Sequence, residues 1–530
     1  MRWLWGVPGL LLVGLPMAWL VVAACGPGQA EPVPLSVLAR TLRIAAGAAA
    51  LAAPGGWLWG HASLVMRSRR AAQRMEDLLL WPLTVPPYVM ALAWILLLEP
   101  DGPVAAVCRL LHVPAPDYYG CEVLASVVLA SAYWPLGALL ISRVVRSVES
   151  DLIDAAALEL PRTRAVAVVA RRPASIALAA SSVLVFALAA ADFGVPNALG
   201  VVAYPVAIVN RFQLDRDSAG SIRLAIPLVL SLLPLLWLFT QVLRRCGDAG
   251  ILSVDGTRET VRRTEAQARA PIAALAISWL MAFGAPSAMV LVRSMPLATY
   301  PAVWAESSDH FLNTLLFASA AALITPITAG LLVWASRGAQ STTLSLLVTA
   351  PLVLPGSLPA LALIDLLNRP GPLGEIYDTP AALIWGYGVL FFPVCHHLCA
   401  AAWSRVDPVL VEECRLQGGS EWTCLRVVGW PALAPSLGVG AILTFLLSAR
   451  DVDAAALLRV PNGDTIAFRI HDYLHFAPGP NVSALSVALS VASMGVILAL
   501  RRALHRLGRT RDDTVPQFSR RRPTPFEAPP

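Results

Sequence analysis

Apolar runs of roughly 20 residues, separated by short polar or arginine-bearing intervals, recur along the whole chain. As helices rising about 1.5 Å per residue, such runs match the ~30 Å hydrocarbon core of a bilayer. They lie near 3–24, 42–61, 78–99, 121–142, 174–199 and 222–243, and again near 271–293, 312–335, 344–367, 381–402, 432–457 and 483–500. The pattern predicts an all-α integral membrane protein with about 12 transmembrane helices, in two homologous six-helix halves. The halves are 1–243 and 271–500, joined by a polar linker at 244–270. Residues 501–530 are basic and Pro-containing and are expected to form a disordered tail. The first run is read as an uncleaved span, being longer than the usual apolar core of a signal peptide. Its ending Val22-Ala23-Ala24-Cys25 also resembles a lipoprotein cleavage box, and the mass of the mature N-terminus separates the two readings.

Composition agrees: 57% of the residues are hydrophobic and 14% charged, against about 25% charged in soluble proteins. The net charge of +6 belongs to connections between spans rather than to a nucleic-acid surface. Arg67, Arg69, Arg70 and Arg74 sit in one connection, and Arg143, Arg146, Arg162, Arg164, Arg171 and Arg172 in another. Arginine excess marks the cytoplasmic side, so both connections and the linker are expected there. An even number of spans then puts both termini in the cytoplasm. All 40 basic residues are Arg, so the phosphate-binding Lys of a Walker A loop is missing and the chain does not split ATP by that device. Cysteines stand at 25, 108, 121, 246, 395, 399, 414 and 424 with no CxxC pair. A disulfide framework, a zinc site or another cofactor is therefore not expected.

The halves repeat one another. Residues 81–98 align without a gap on 350–367, superposing Pro82 on Pro351, Pro86 on Pro355, Ala91 on Ala360 and Ile95 on Ile364. At an offset of 258, Tyr133-Trp134-Pro135 falls on Phe391-Phe392-Pro393 and Pro173 on Pro431. Halves of like orientation imply a pseudo-two-fold axis along the membrane normal with a pathway between them. The Pro clusters at 82–87 and 351–359 would kink their helices, which a bilayer tolerates where freed backbone is buried or lines a cavity. A pathway is one account of the kinks; the commonness of Pro in membrane helices is the other.

The longest polar interval of the second half, 407–431, carries the sharpest signal: Glu412-Glu413-Cys414, then Gly418, then Val428-Gly429-Trp430-Pro431. The first half echoes it at 149–173, with Asp154-Ala155-Ala156 and Pro173. The spacing resembles the EAA loop of ABC importer permeases. The six-plus-six layout, the loop after each fourth span and Asp192-Phe193-Gly194-Val195-Pro196 after the fifth resemble the fused permeases of the Fe(III) and thiamine type. The resemblance implies a helical hairpin along the membrane surface that docks in a groove of a separate ATPase. Asp154, Ala155, Ala156 and Leu160 would make one dock, and Glu412, Glu413, Cys414 and Gly418 the other. Gly418 would permit a left-handed turn. The matching position is Leu160, which cannot adopt that geometry cheaply, so the first hairpin is expected to turn differently, using Pro161 to start its second helix.

Leu416-Gln417-Gly418-Gly419-Ser420 looks like an ABC ATPase signature, but without a Walker A Lys it is a decoy. Cys395-His396-His397-Leu398-Cys399 could ligate a metal; its repeat partners hold no ligand, and interhelical hydrogen bonds are the plainer reading. His471 and His475 share a helix face and read as a surface pair. Acids near or within spans often line pathways, which makes Asp192, Asp365, Asp451 and Asp453 pathway candidates, with Asp192 opposite Asp451 in the repeat. The resemblance implies a permease subunit and not an enzyme. It passes a small solute, iron(III) for the nearest type, by ATP-driven alternating access across the inner membrane. Its partners would be a cytoplasmic ATPase dimer, a periplasmic solute-binding protein and the lipid bilayer. An ion-coupled secondary transporter is the alternative, with the acids as coupling sites.

Overall fold

In a computed structural model, residues 2–26, 33–65, 78–79, 81–114, 117, 119–146, 150–248, 273, 275–296, 298–337, 342–476 and 479–512 are described. Arg67, Arg69, Arg70 and Arg74, most of the expected linker with Arg258, Arg262, Arg263 and Arg269, and the tail from 513 lie outside them. The described residues are nearly all helical and contain no strand. Among them ten helices are long and apolar enough to cross a membrane, or up to twelve if each of two bent pairs is one span.

Each expected run corresponds to one of these, with corrections where Pro breaks or bends the backbone. The third run does not stay helical over 78–99, because Pro86 and Pro87 interrupt it and the spanning helix starts at Pro87. Its counterpart splits into Thr342–Val353 and Ser357–Leu367, bent by 106° at Leu354-Pro355. The sixth run splits into Ser218–Leu224 and Ile226–Leu238, bent by 54°, with Asp217 capping the first piece through the Gly220 amide. The last helix, Pro480–Asp512, runs twelve residues into the segment expected to be disordered.

Two three-helix groups form the centre. Leu35–Val65, Glu122–Arg146 and Arg162–Ala191 pack together, as do Thr299–Ser336, Pro380–Trp403 and Trp430–Ala449. The cause is a stripe of small residues. Ala45, Ala48, Ala49 and Ala52 lie on one buried face of Leu35–Val65, and Ala125, Ala138, Ala177 and Ala180 are buried on its two neighbours. Close backbone approach of this kind replaces the hydrophobic drive that lipid removes.

Two spanning helices pack far from their chain neighbours. Trp3–Cys25 lies against Thr299–Ser336, Ser357–Leu367 and Pro380–Trp403, with Trp385 Nε1 donating to Leu12 O at 2.8 Å. Leu275–Arg293 lies in turn against Pro87–Leu98, held by Trp279 Nε1 on Leu78 O at 3.2 Å and by Arg293 on Glu99 at 3.1 Å. Residues 1–243 and 271–500 are therefore clasped by exchanged helices.

Candidate functional site

Two features stand out: a pair of hairpins, each leading into a spanning helix, and a cavity lined by residues of 83–194 and 351–453. In the second hairpin, Asp407 caps Pro408–Leu416 by accepting from Val409 N at 3.0 Å. Gly418 follows with φ +80°, and the Gly418 and Gly419 amides return to the carbonyls of Arg415 and Cys414, both at 2.9 Å. That closure satisfies the last carbonyls of the helix in the way a left-handed C-cap does. Ser420 then caps the next helix by accepting from Thr423 N. This helix is no separate surface element, as the hairpin expectation had it. It passes through a π turn at Leu425–Gly429 into Trp430–Ala449 and forms one 29-residue rod.

Glu421 ties the hairpin down. It accepts from Arg337, the cap of Thr299–Ser336, at 2.5 Å and also pairs with Arg415. The Arg337 side chain is only 8% exposed and lies over the Trp334 ring. Val411, Cys424 and Leu425 bury against Trp334, and Trp422 stacks on Trp5 of the first helix. Glu412 and Glu413 stay exposed.

The first hairpin is built from Ser150–Ala156 and Arg162–Ala191. Leu160 keeps a negative φ. The chain turns instead through successive carbonyl contacts, Leu158 N on Ala155 O and Leu160 N on Ala156 O, and Pro161 caps the second helix, as the sequence implied. Asp154 and Ala155 are exposed and Ala156 half-buried. Both hairpins show one exposure pattern. Leu152 and Leu410 are 55% and 48% exposed, Ile153 and Val411 5% and 6%, and Leu158 and Leu416 89% and 87%. These leucines were not singled out by sequence reasoning, although their shared offset of 258 was there to be read.

The cavity, about 410 Å³, is lined by residues from both 83–194 and 351–453, mostly apolar with leucine the commonest, and with Tyr88, Tyr133, Asp192, Arg450, Asp451 and Asp453 among its polar residues. Three of the four pathway candidates thus meet. Asp192 accepts from Val195 N at 2.8 Å and from Tyr133 OH at 2.7 Å. Asp451 accepts from Ala454 N at 2.9 Å, so each acid accepts from the amide three residues on, at the start of a short helix. Arg450 donates to Leu83 O at 2.6 Å and reaches the Pro-broken start of the third span. Asp453 sits against Gly356 beside the other Pro break, where a Cβ would lie 2.9 Å from its carboxylate.

Asp365 is not there. It accepts from Trp19 Nε1 at 2.8 Å, Ser218 Oγ at 2.9 Å and Arg369 at 3.3 Å, which makes it a clasp for the crossed first helix. His471 is buried rather than a surface residue, because it lies 3.3 Å from Asn197 Nδ2 and beside Phe193 and Tyr88. In the Cys395–Cys399 run, His397 bonds Thr349 at 2.9 Å and Cys395 contacts Thr444 at 3.2 Å. Among the described residues no three His, Cys, Asp or Glu side chains converge to hold a metal.

No known family profile matches the chain. Curated relatives exist, and they are transport proteins. Over 93 residues the chain is 29% identical to the spermidine/putrescine transport system permease protein PotC of Escherichia coli (strain K12), covering 18% of this chain and 35% of that protein. Over 233 residues it is 24% identical to the putrescine transport system permease protein PotI of the same strain, covering 40% of this chain and 83% of that one. The chain thus matches about a third of the length of PotC and most of PotI. The homology is weak, and both relatives are permease proteins of transport systems rather than enzymes. A nearly all-helical chain with ten to twelve helices of spanning length agrees with that kinship.

Proposed function

We propose that the chain is the fused permease of a type I ABC importer in a bacterial inner membrane. Two duplicated six-helix halves, joined by a cytoplasmic linker, pass a small solute delivered by a periplasmic binding protein. ATP is hydrolysed by a separate cytoplasmic ATPase dimer that docks on both hairpins. One observation carries this reading: the hairpins repeat the same pattern of buried aliphatic and exposed leucine at matched positions. Exposed large apolar side chains ringed by polar ones mark a protein-binding face. Both hairpins follow an even-numbered span and so emerge on one side, which the arginine excess makes cytoplasmic.

The solute on this reading is a small cation. Three carboxylates and one guanidinium line a cavity that is otherwise largely apolar, where an unpaired acid is costly and a passing positive charge offsets it. The relatives serve spermidine and putrescine transport systems, and those amines are elongated cations. Iron(III), which the sequence resemblance implies, is also cationic. It would have to cross with its own chelating ligands, because the described acids do not converge on one ion.

The test is uptake of labelled putrescine, spermidine and iron(III) citrate by cells with the chain deleted and restored. Restored uptake of one of these solutes should vanish on depletion of ATP with arsenate and survive an uncoupler. Uptake by the isolated chain in vesicles energised only by an ion gradient would make it a secondary transporter and overturn the reading.

A further inference from the structure

We infer that Cys414 and Cys424 are a redox-active pair that closes to a disulfide inside the second hairpin. Their sulfurs stand 3.0 Å apart, one on each helix of the hairpin. A disulfide needs about 2.05 Å, so a shift of about an ångström closes the bond. The turn makes room for it: a Cβ on Gly419 would lie 2.8 Å from the Cys414 sulfur, so a side chain there would compete with the thiol for its place. Cys414 is half-buried and Cys424 buried, which gives the pair an accessible attacking thiol and a sheltered resolving one. In the first hairpin the matched positions are Ala156 and Val166, so only one hairpin carries the pair.

The chemistry balances with a hydroperoxide as oxidant. The Cys414 thiolate attacks the O–O bond of hydrogen peroxide, leaving sulfenic acid and, after protonation, water. The Cys424 sulfur then displaces the sulfenic oxygen as a second water and forms the S–S bond. Two thiols and one peroxide become one disulfide and two waters, and a dithiol reverses the step. In a reducing cytoplasm the pair rests as thiols and oxidises transiently. The consequence for transport rests on the docking reading above. Oxidation covalently joins the two helices at one dock and leaves the other untouched.

Trypsin makes the test direct, because Arg405, Arg415 and Arg426 put the two cysteines on separate peptides, 406–415 and 416–426. Membrane vesicles holding the full chain are treated with hydrogen peroxide, blocked with N-ethylmaleimide, digested and analysed by mass spectrometry. The two peptides should appear joined, lighter by two hydrogens than their sum, and separate on dithiothreitol. Cys414→Ser and Cys424→Ser should each abolish the joined species, and Cys424→Ser should leave a sulfenic acid on Cys414 that dimedone traps. Two singly alkylated peptides after peroxide, or Cys414 joined to a different cysteine, would overturn the pair. Uptake read on the same vesicles separates the two claims. Loss of uptake that dithiothreitol restores, and that Cys424→Ser escapes, supports both. A disulfide that forms without altering uptake keeps the pair and sinks the docking reading.

Discussion

The hairpins at 150–173 and 407–431 present matched leucines to solvent and bury one matched aliphatic residue, yet they reverse the chain by different means. The second turns on Gly418 at φ +80°. It is braced by the Glu421 pairs with Arg337 and Arg415 and by the Trp5–Trp422 stack. The first turns through overlapping carbonyl contacts and a Pro161 cap, and its residues matching Glu421 and Trp422 are Thr163 and Arg164. The outward pattern is thus held constant while the means of holding it varies. That is the expected result when a partner reads the exposed face and only the fold reads the turn.

The largest effect should come from the turn of the second hairpin. Gly418→Val puts a branched side chain at positive φ, where left-handed backbone costs an L-residue roughly 1–2 kcal/mol, and it sits at the vertex of the dock. Uptake should fall to background while the chain still inserts in the membrane at normal amounts, and Glu412→Ala should act in the same direction. Normal uptake in both variants would break the docking role.

Leu416→Ser and Leu158→Ser come next. Burying a leucine in a partner contributes about 1.5–3 kcal/mol, so each variant should weaken the ATPase's hold by about tenfold or more. A binding titration on detergent-solubilised chain should find the two losses alike, whereas a loss at only one position would end the symmetry. Glu421→Gln removes the carboxylate charge that pairs with two guanidinium groups, one of them nearly buried. Leaving such a group under-satisfied costs about 1–3 kcal/mol. Hydrogen exchange should rise across 408–424 and stay unchanged across 150–160. The smallest effect belongs to Leu160→Gly, at about 0.5–1 kcal/mol, with uptake close to that of the parent chain.

Much of this was legible in the sequence because a membrane imposes a coarse code. Apolar runs gave the spans, the repeat gave the matched hairpins, and Leu160 foretold a turn without positive φ. What escaped was set by side-chain partners. Asp365 has the sequence character of a pathway acid, but Trp19 and Ser218 take it up because the first helix crosses to the other half, and no periodicity announces a crossing. His471 reads as a surface residue by its polar neighbours and is buried because Phe193, Tyr88 and Asn197 converge on it from the first half. Cys414 and Cys424 lie ten residues apart, outside any short cysteine motif, and come together only because Gly418 and Gly419 fold the chain back between them.

The central claim is that both hairpins seat one kind of ATPase subunit. Photo-crosslinking residues placed at Leu158 and at Leu416, activated in native membranes and followed by mass spectrometry of the captured chain, test it most directly. The account predicts that both positions capture the same polypeptide and that this polypeptide carries a Walker A loop with its lysine. Capture at Leu416 with silence at Leu158, or a captured partner without that loop, would contradict it.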